Sequence, residues 1–149
     1  MFSQQQMLNG YKEKYIMQMV ILMEDRFEKG MSILKITNEE TINNIFDELA
    51  DIAPDLSHFI VEFPYSELYT RDEVDLKTRE LCTIAALTTI GAIPQLKDHI
   101  NAALAVGNSP SEIVEIIMQM SAYAGFPKAI NGIMAAKDVF KEKNLLPVK

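Results

Sequence analysis

In the second half of the chain a glycine is followed within three residues by a proline three times: "GAIP" from Gly91, "GNSP" from Gly107 and "GFP" from Gly125. Glycine adopts the left-handed conformation that ends a helix. Proline presets the φ that opens one and lacks the amide hydrogen a helix interior needs. These pairs cut the chain after Asp75 into four helices joined by short turns. The first runs from Leu76 to about Ile90, with Asp75 as N-cap and Gly91 as stop. Pro94 opens the second and Gly107 closes it. The third has Ser109 as N-cap, Pro110 in the first helical position and Glu112 placed to close a capping box. It directs Ile113, Ile116, Ile117 and Met120 inward and ends at Gly125. Pro127 opens the last, with Ile130, Ile133, Met134 and Phe140 inward, and it ends before "NLLP".

Upstream, residues 1–10 are mostly polar and are expected to fray. From Tyr11 to about Ile36 the pattern is helical, in two segments hinged near Met23 to Asp25, the second carrying Phe27, Met31 and Leu34. Thr37 or Asn38 caps a short helix with Ile42, Ile45, Phe46 and Leu49, which stops before Pro54. "HFIVEF" suits a strand or a helix. No second strand is available to pair with it, so a helix through Leu56, Phe59, Ile60 and Phe63 is expected, ended or kinked by Pro64. The sequence has no internal repeat and no glycine- or serine-rich linker. It reads as one all-α domain over 25–149 with a helical extension over 1–24.

With 48% apolar and 23% charged residues, 149 residues are enough for a globular core. The net charge of −7 and the lack of any lysine or arginine cluster exclude nucleic acid and an anionic membrane surface as partners. A small anionic molecule needs only one or two local cations and stays open. The single cysteine, Cys82, excludes an internal disulfide, a CxxC pair and a thiolate metal cluster, and points to a reducing, cytoplasmic setting. The longest apolar run, Tyr15 to Met23, falls far short of the ~20 residues of a membrane span. "EDRFEKG" follows it where a leader would need small residues. A buried helix is expected there.

His99 shares a helical stripe with Leu96, Ala102, Ala103 and Val106, so it should turn inward. It is either an acid–base group or a core histidine with its hydrogen bonds satisfied. Glu80 stands at the mouth of "LCTIAALTTI", a stretch without charge, and a carboxylate there needs a partner. Spacing does not join the two. Glu80 lies toward the far end of its helix and His99 near the turn, so a tilted crossing or a subunit contact would be required. Cys82 reads as a buried small apolar residue. His58 and His99 form no metal-binding pair, and "GAIPQLK" lacks the glycines of a phosphate loop.

Asp75 to Phe140 resembles the carboxymuconolactone decarboxylase family, which includes γ-carboxymuconolactone decarboxylases and alkylhydroperoxidase D-type reductases. The resemblance rests on "KTRELCTIAAL", on "HINAALAVG" with His99, Ala102, Ala103, Leu104 and Gly107, and on "YAGFPKAIN" from Tyr123 to Asn131. "DRFEKGMSIL" and "LYTRDEVDLKTRE" extend it back to Asp25. It implies a single alkylhydroperoxidase D-like helical domain, assembled as a homo-trimer or homo-hexamer with sites at or near subunit contacts. In the reductase branch, residues matching Glu80 and His99 serve a CxxC pair. The matching positions here are Ala92 and Gln95, and a dithiol cycle needs a second thiol.

The resemblance therefore implies the other branch, a cofactor-free lyase acting on a small, carboxylated, lactone-type substrate. Loss of CO₂ leaves a delocalised anion, which needs a charge-stabilising group and an acid to protonate carbon. His99 is assigned the acid–base role and Glu80 its orientation. Arg79 and Lys97 are the nearest cations, and Tyr123 and Gln95 are candidate hydrogen-bonding groups. The competing readings are an alkylhydroperoxidase D-like antioxidant activity and a non-enzymatic oligomer that kept the fold.

Overall fold

The computed structural model describes residues 4–148, with side chains from Lys12 onward except those of Met23 and Glu24. It is all-helical, with no strand among the described residues. The helices are α1 (Gln4–Thr37), α2 (Glu39–Leu49), α3 (Pro54–Ile60), α4 (Leu76–Ile90), α5 (Ile93–Ala105), α6 (Pro110–Ala124) and α7 (Phe126–Glu142). A π-helical segment, Val61–Leu68, continues α3 directly. Helices α4–α7 close around Ile84, Leu96, Ile100, Ile113, Ile117, Val139 and Phe140. A smaller cluster of Leu34, Ile42, Val61 and Tyr65 binds the C-terminal part of α1 to α2 and the π segment. α1 also packs on α5.

The expected caps are present. The Asp75 carboxylate accepts from the Thr78 amide at 2.8 Å, and Gly91 takes the left-handed conformation at φ 80°. Ser109 and Glu112 form the reciprocal capping box, at 3.2 and 2.7 Å.

Pro64 neither ends nor breaks its helix. It cannot donate to the ladder, and the chain absorbs this by widening the turn, so that the Tyr69 amide donates to the Pro64 carbonyl at 2.9 Å. Gly30 of α1 lies directly against Val61. A Cβ there would meet the Val61 carbonyl oxygen and would come within 2.8 Å of its Cγ1.

Several faces differ from expectation. From Gln4 to Thr37 α1 is one continuous helix, without a hinge near Met23 to Asp25; of the residues expected to fray, 4–10 are helical and 1–3 lie outside the described residues. Its run from Tyr15 to Leu22 is exposed, not buried, with Tyr15 and Met17 each 67% exposed. The apolar residues there point to all sides, and no other described part of the chain covers them. Leu56, Phe59 and Phe63 are exposed, and the buried residues are Ser57, Val61, Tyr65 and Ser66. Gly30 selects that face, because its missing side chain admits Val61. In α7, Ile130 and Met134 are exposed while Ala129, Gly132, Ala135 and Ala136 are buried. The small residues let α7 approach closely, with Gly132 seated on Ile117 and Thr88. His58 packs against the rings of Phe27 and Phe46, at 5.1 and 5.4 Å.

Cys82 is exposed, contrary to expectation. It sits on the α4 face opposite the buried Glu80, Ile84 and Thr88. Two results should follow. A disulfide reagent should titrate the thiol in the native protein, and Cys82→Ala should change stability by less than about 0.5 kcal/mol in urea unfolding, as for other surface substitutions. A thiol that reacts only after unfolding would contradict this placement.

Candidate active site

His99 and Glu80 meet within one protomer: His99 Nδ1 lies 2.7 Å from Glu80 Oε2. The expectation that spacing keeps them apart is corrected by their positions relative to the turn. Glu80 lies ten residues before the end of α4 and His99 six residues after the start of α5. The axial offset is therefore only about four residues, ~6 Å at 1.5 Å per residue, and two long side chains bridge it. Neither a subunit contact nor a steep crossing is needed.

Glu80 is fully buried, while the His99 side chain is 18% exposed. The carboxylate accepts from Nδ1–H, which fixes the ring and leaves Nε2 without a hydrogen-bond partner among the described residues. The other carboxylate oxygen, Oε1, is buried without a hydrogen bond.

His99 opens on a cavity of about 320 Å³ between α1, α2, the π segment, α4 and α5. Leu34, Ile42, Ile45, Ile60 and Pro64 form its apolar wall. Asn38, Thr41, Tyr65, Tyr69, Thr83, Gln95 and Asp98 supply polar groups. The Tyr69 hydroxyl lies 3.0 Å from Thr83 Oγ1, and the Thr83 hydroxyl donates to the Arg79 carbonyl at 3.0 Å. Thr83 has one hydrogen to give, so Tyr69 donates to it. Burial pushes the Tyr69 hydroxyl up to about 12, and the Glu80 charge adds to the shift. Burial also raises Tyr65, with smaller contributions from Tyr69 and Glu80. Both phenols therefore remain hydrogen-bond donors at neutral pH. Burial raises Asp98 as well, opposed by the His99 charge and by the Thr41 hydroxyl, which donates to its Oδ1 at 3.5 Å.

Of the residues singled out from the sequence, His99 and Gln95 line this cavity and Glu80 stands directly behind His99. Arg79, Lys97 and Tyr123 do not line it. Arg79 donates to the Val74 and Arg71 carbonyls at 2.9 and 3.1 Å, holding the loop before α4. Lys97 pairs with Asp138 on α7 at 2.6 Å. Tyr123 is 77% exposed at the end of α6. Sequence reasoning missed Tyr65, Tyr69, Thr83 and Asp98. For Thr83 a signal existed, since it shares the face of Glu80 one turn on. For Asp98 the signal was its place beside His99. The tyrosines carried none, because the widened turn at Pro64 and the packing of α1 place them.

Among the described residues, no cluster of three or more histidine, cysteine or carboxylate side chains is placed to hold a metal ion. No helix among them is long and apolar enough to cross a membrane.

The geometry has counterparts in known proteins. Residues 54–138 match the model of the carboxymuconolactone decarboxylase family. A 4-carboxymuconolactone decarboxylase of Acinetobacter baylyi is 31% identical over 127 residues, covering 85% of this chain and 95% of the relative. An uncharacterized 15.0 kDa protein in the nqo9-nqo10 intergenic region of Paracoccus denitrificans is 29% identical over 125 residues, covering 83% and 93%. The family match spans more than half of the chain and the first relative aligns along most of both proteins, so the chain belongs to the carboxymuconolactone decarboxylase family.

Proposed function

We propose that the protein is a cofactor-free lyase that decarboxylates a small, carboxylated, lactone-type molecule in the cavity over His99. The observation that carries this reading is the imidazole itself. One ring nitrogen is held by a buried carboxylate and the other faces an apolar cavity. The relative from Acinetobacter baylyi, named as a decarboxylase, supports the same reaction class.

In the proposed reaction the bond between the ring carbon and the carboxylate breaks. CO₂ leaves, and the electron pair passes into the conjugated lactone as an enolate. A donor already in the cavity, the Tyr65 hydroxyl, stabilises the enolate oxygen. His99 delivers the proton on Nε2 to carbon and regains one from water, while Nδ1–H stays on Glu80. The apolar wall favours the step, because it holds the localised carboxylate charge less well than the delocalised anion. The antioxidant reading has less support: Cys82 is exposed, lines no part of the cavity and has no second thiol in the chain.

The test is CO₂ release from a panel of unsaturated γ-lactone acids. Release from at least one of them is expected, and it should be lost in His99→Ala. If no acid in the panel releases CO₂, or if His99→Ala releases it at the normal rate, this reading falls.

The assembly is proposed to be a homo-trimer or homo-hexamer. The exposed half of α1 and the exposed apolar residues of α6 and α7, among them Met118, Phe126, Ile130 and Met134, leave more apolar surface than one small domain usually shows. Light scattering at micromolar concentration should give three or more chains per particle; a monomer would overturn the proposal.

A further inference from the structure

We infer that the cavity selects a substrate with one carboxylate on an apolar body, and that Asp98 is the residue that keeps a second carboxylate out. This rests on the lyase reading above and narrows its substrate class.

Among the described residues, no lysine or arginine lines the cavity. The two nearest cations in sequence are committed elsewhere, Arg79 to backbone carbonyls and Lys97 to Asp138. The charges next to the bound molecule are therefore the His99–Glu80 pair and the carboxylate of Asp98. The pair can cancel within itself, which leaves Asp98 as unmatched negative charge. Its position is also defined. Thr41 Oγ1 lies 3.5 Å from Asp98 Oδ1, and the Asn38 amide donates to the Asp98 carbonyl at 3.1 Å. These contacts place Asp98 on the α2 side of the cavity, next to the apolar wall of Ile42 and Ile45.

His99 Nε2 and the Tyr65 hydroxyl can donate to one carboxylate. A second carboxylate would find no lysine or arginine among the described lining residues and would meet the like charge of Asp98. A like charge a few ångströms away in a partly desolvated site weakens binding by roughly tenfold or more. Two cavity residues set this preference, Asp98 beside His99 and the uncharged, exposed Gln95.

The experiment is calorimetric titration with three stable probes of one body: phenylacetate, homophthalate (its ortho-carboxylated form) and the ortho methyl ester of homophthalate. Phenylacetate and the ester should bind at least ~10-fold more tightly than homophthalate. In Asp98→Asn the gap should close to within roughly threefold. Gln95→Arg, at an exposed position that tolerates substitution, should raise homophthalate affinity even if the Asp98 variant fails to fold. The inference is overturned in four cases: homophthalate binds as tightly as phenylacetate to the unaltered protein, the ester is excluded as strongly as the diacid, the ratio is unchanged in folded Asp98→Asn, or neither acid binds. The CO₂ assay is separate. Selective binding without CO₂ release from any lactone acid would end the lyase reading and leave the charge selection standing. CO₂ release with no discrimination between the probes would do the reverse.

Discussion

Replacing His99 with alanine is expected to cut turnover by roughly 10² or more and, in the same variant, to lower stability by about 3 kcal/mol. The first effect follows from loss of the group that carries the proton to carbon. The second follows from Glu80. Its carboxylate is fully buried and accepts at Oε2 from His99 Nδ1–H, while Oε1 has no hydrogen bond among the described residues. Alanine favours a helix, but by less than about 1 kcal/mol, and it leaves an uncompensated buried charge. Helix propensity alone would therefore give the wrong sign.

Glu80→Gln separates the two effects. The amide oxygen still accepts from Nδ1–H and no charge is stranded, so the stability cost should be about 1 kcal/mol. Turnover should still fall, because the group that holds the protonated imidazole is gone. The double variant should be more stable than His99→Ala alone, since it removes the stranded carboxylate. Urea unfolding of the four proteins, together with CO₂ release, gives both readouts. If His99→Ala were as stable as the unaltered protein, Glu80 would have another partner. If it lost stability and kept turnover, His99 would be structural.

Gly30→Ala should destabilise the protein by about 3 kcal/mol and weaken binding of any acid in the cavity. On an isolated helix this substitution is stabilising by about 1 kcal/mol. Here the added Cβ runs into the Val61 carbonyl oxygen and Cγ1. A carbonyl in a helical ladder cannot swing aside, so α1 must move away from the π segment. Those two elements carry Leu34, Ile60, Pro64 and Tyr65, all part of the cavity wall. Gly132→Ala is the comparison. Its Cβ would meet Ile117 Cγ2 at 2.8 Å and Thr88 Cγ2 at 3.1 Å, and both are side-chain methyl groups that can shift. It should cost less and leave binding unchanged. Unaltered urea stability in Gly30→Ala would mean that the two elements do not pack at this point.

The ends of α4 and α6 were legible in the sequence because capping is local. A carboxylate or hydroxyl answers amides two or three residues on, and no distant segment has a say. The same holds for Gly91 and Gly125 as stops. The inward stripe of α5 was legible for a related reason: Leu96, Ala102 and Ala103 are fully buried and leave His99 one side on which to emerge. The faces of α3 and α7 were not. Leu56, Phe59, Ile130 and Met134 look like core by hydrophobicity alone. Yet the contact is made where side chains are small enough for backbones to approach, at Gly30 and Gly132.

The sequence by itself determined an all-helical chain, the limits of its last four helices and a histidine turned toward the interior. Those properties depend on hydrogen bonds and periodicity within about one turn. The tertiary structure alone decided that Glu80 reaches His99, because that distance is an offset between two helices. It alone brought Tyr65 and Tyr69 to the cavity, through a turn that Pro64 widens and α1 packs against. It also tied Arg79 and Lys97 to partners outside the cavity. A long cationic side chain can satisfy its charge in many directions, and only the positions of Val74, Arg71 and Asp138 in space select one.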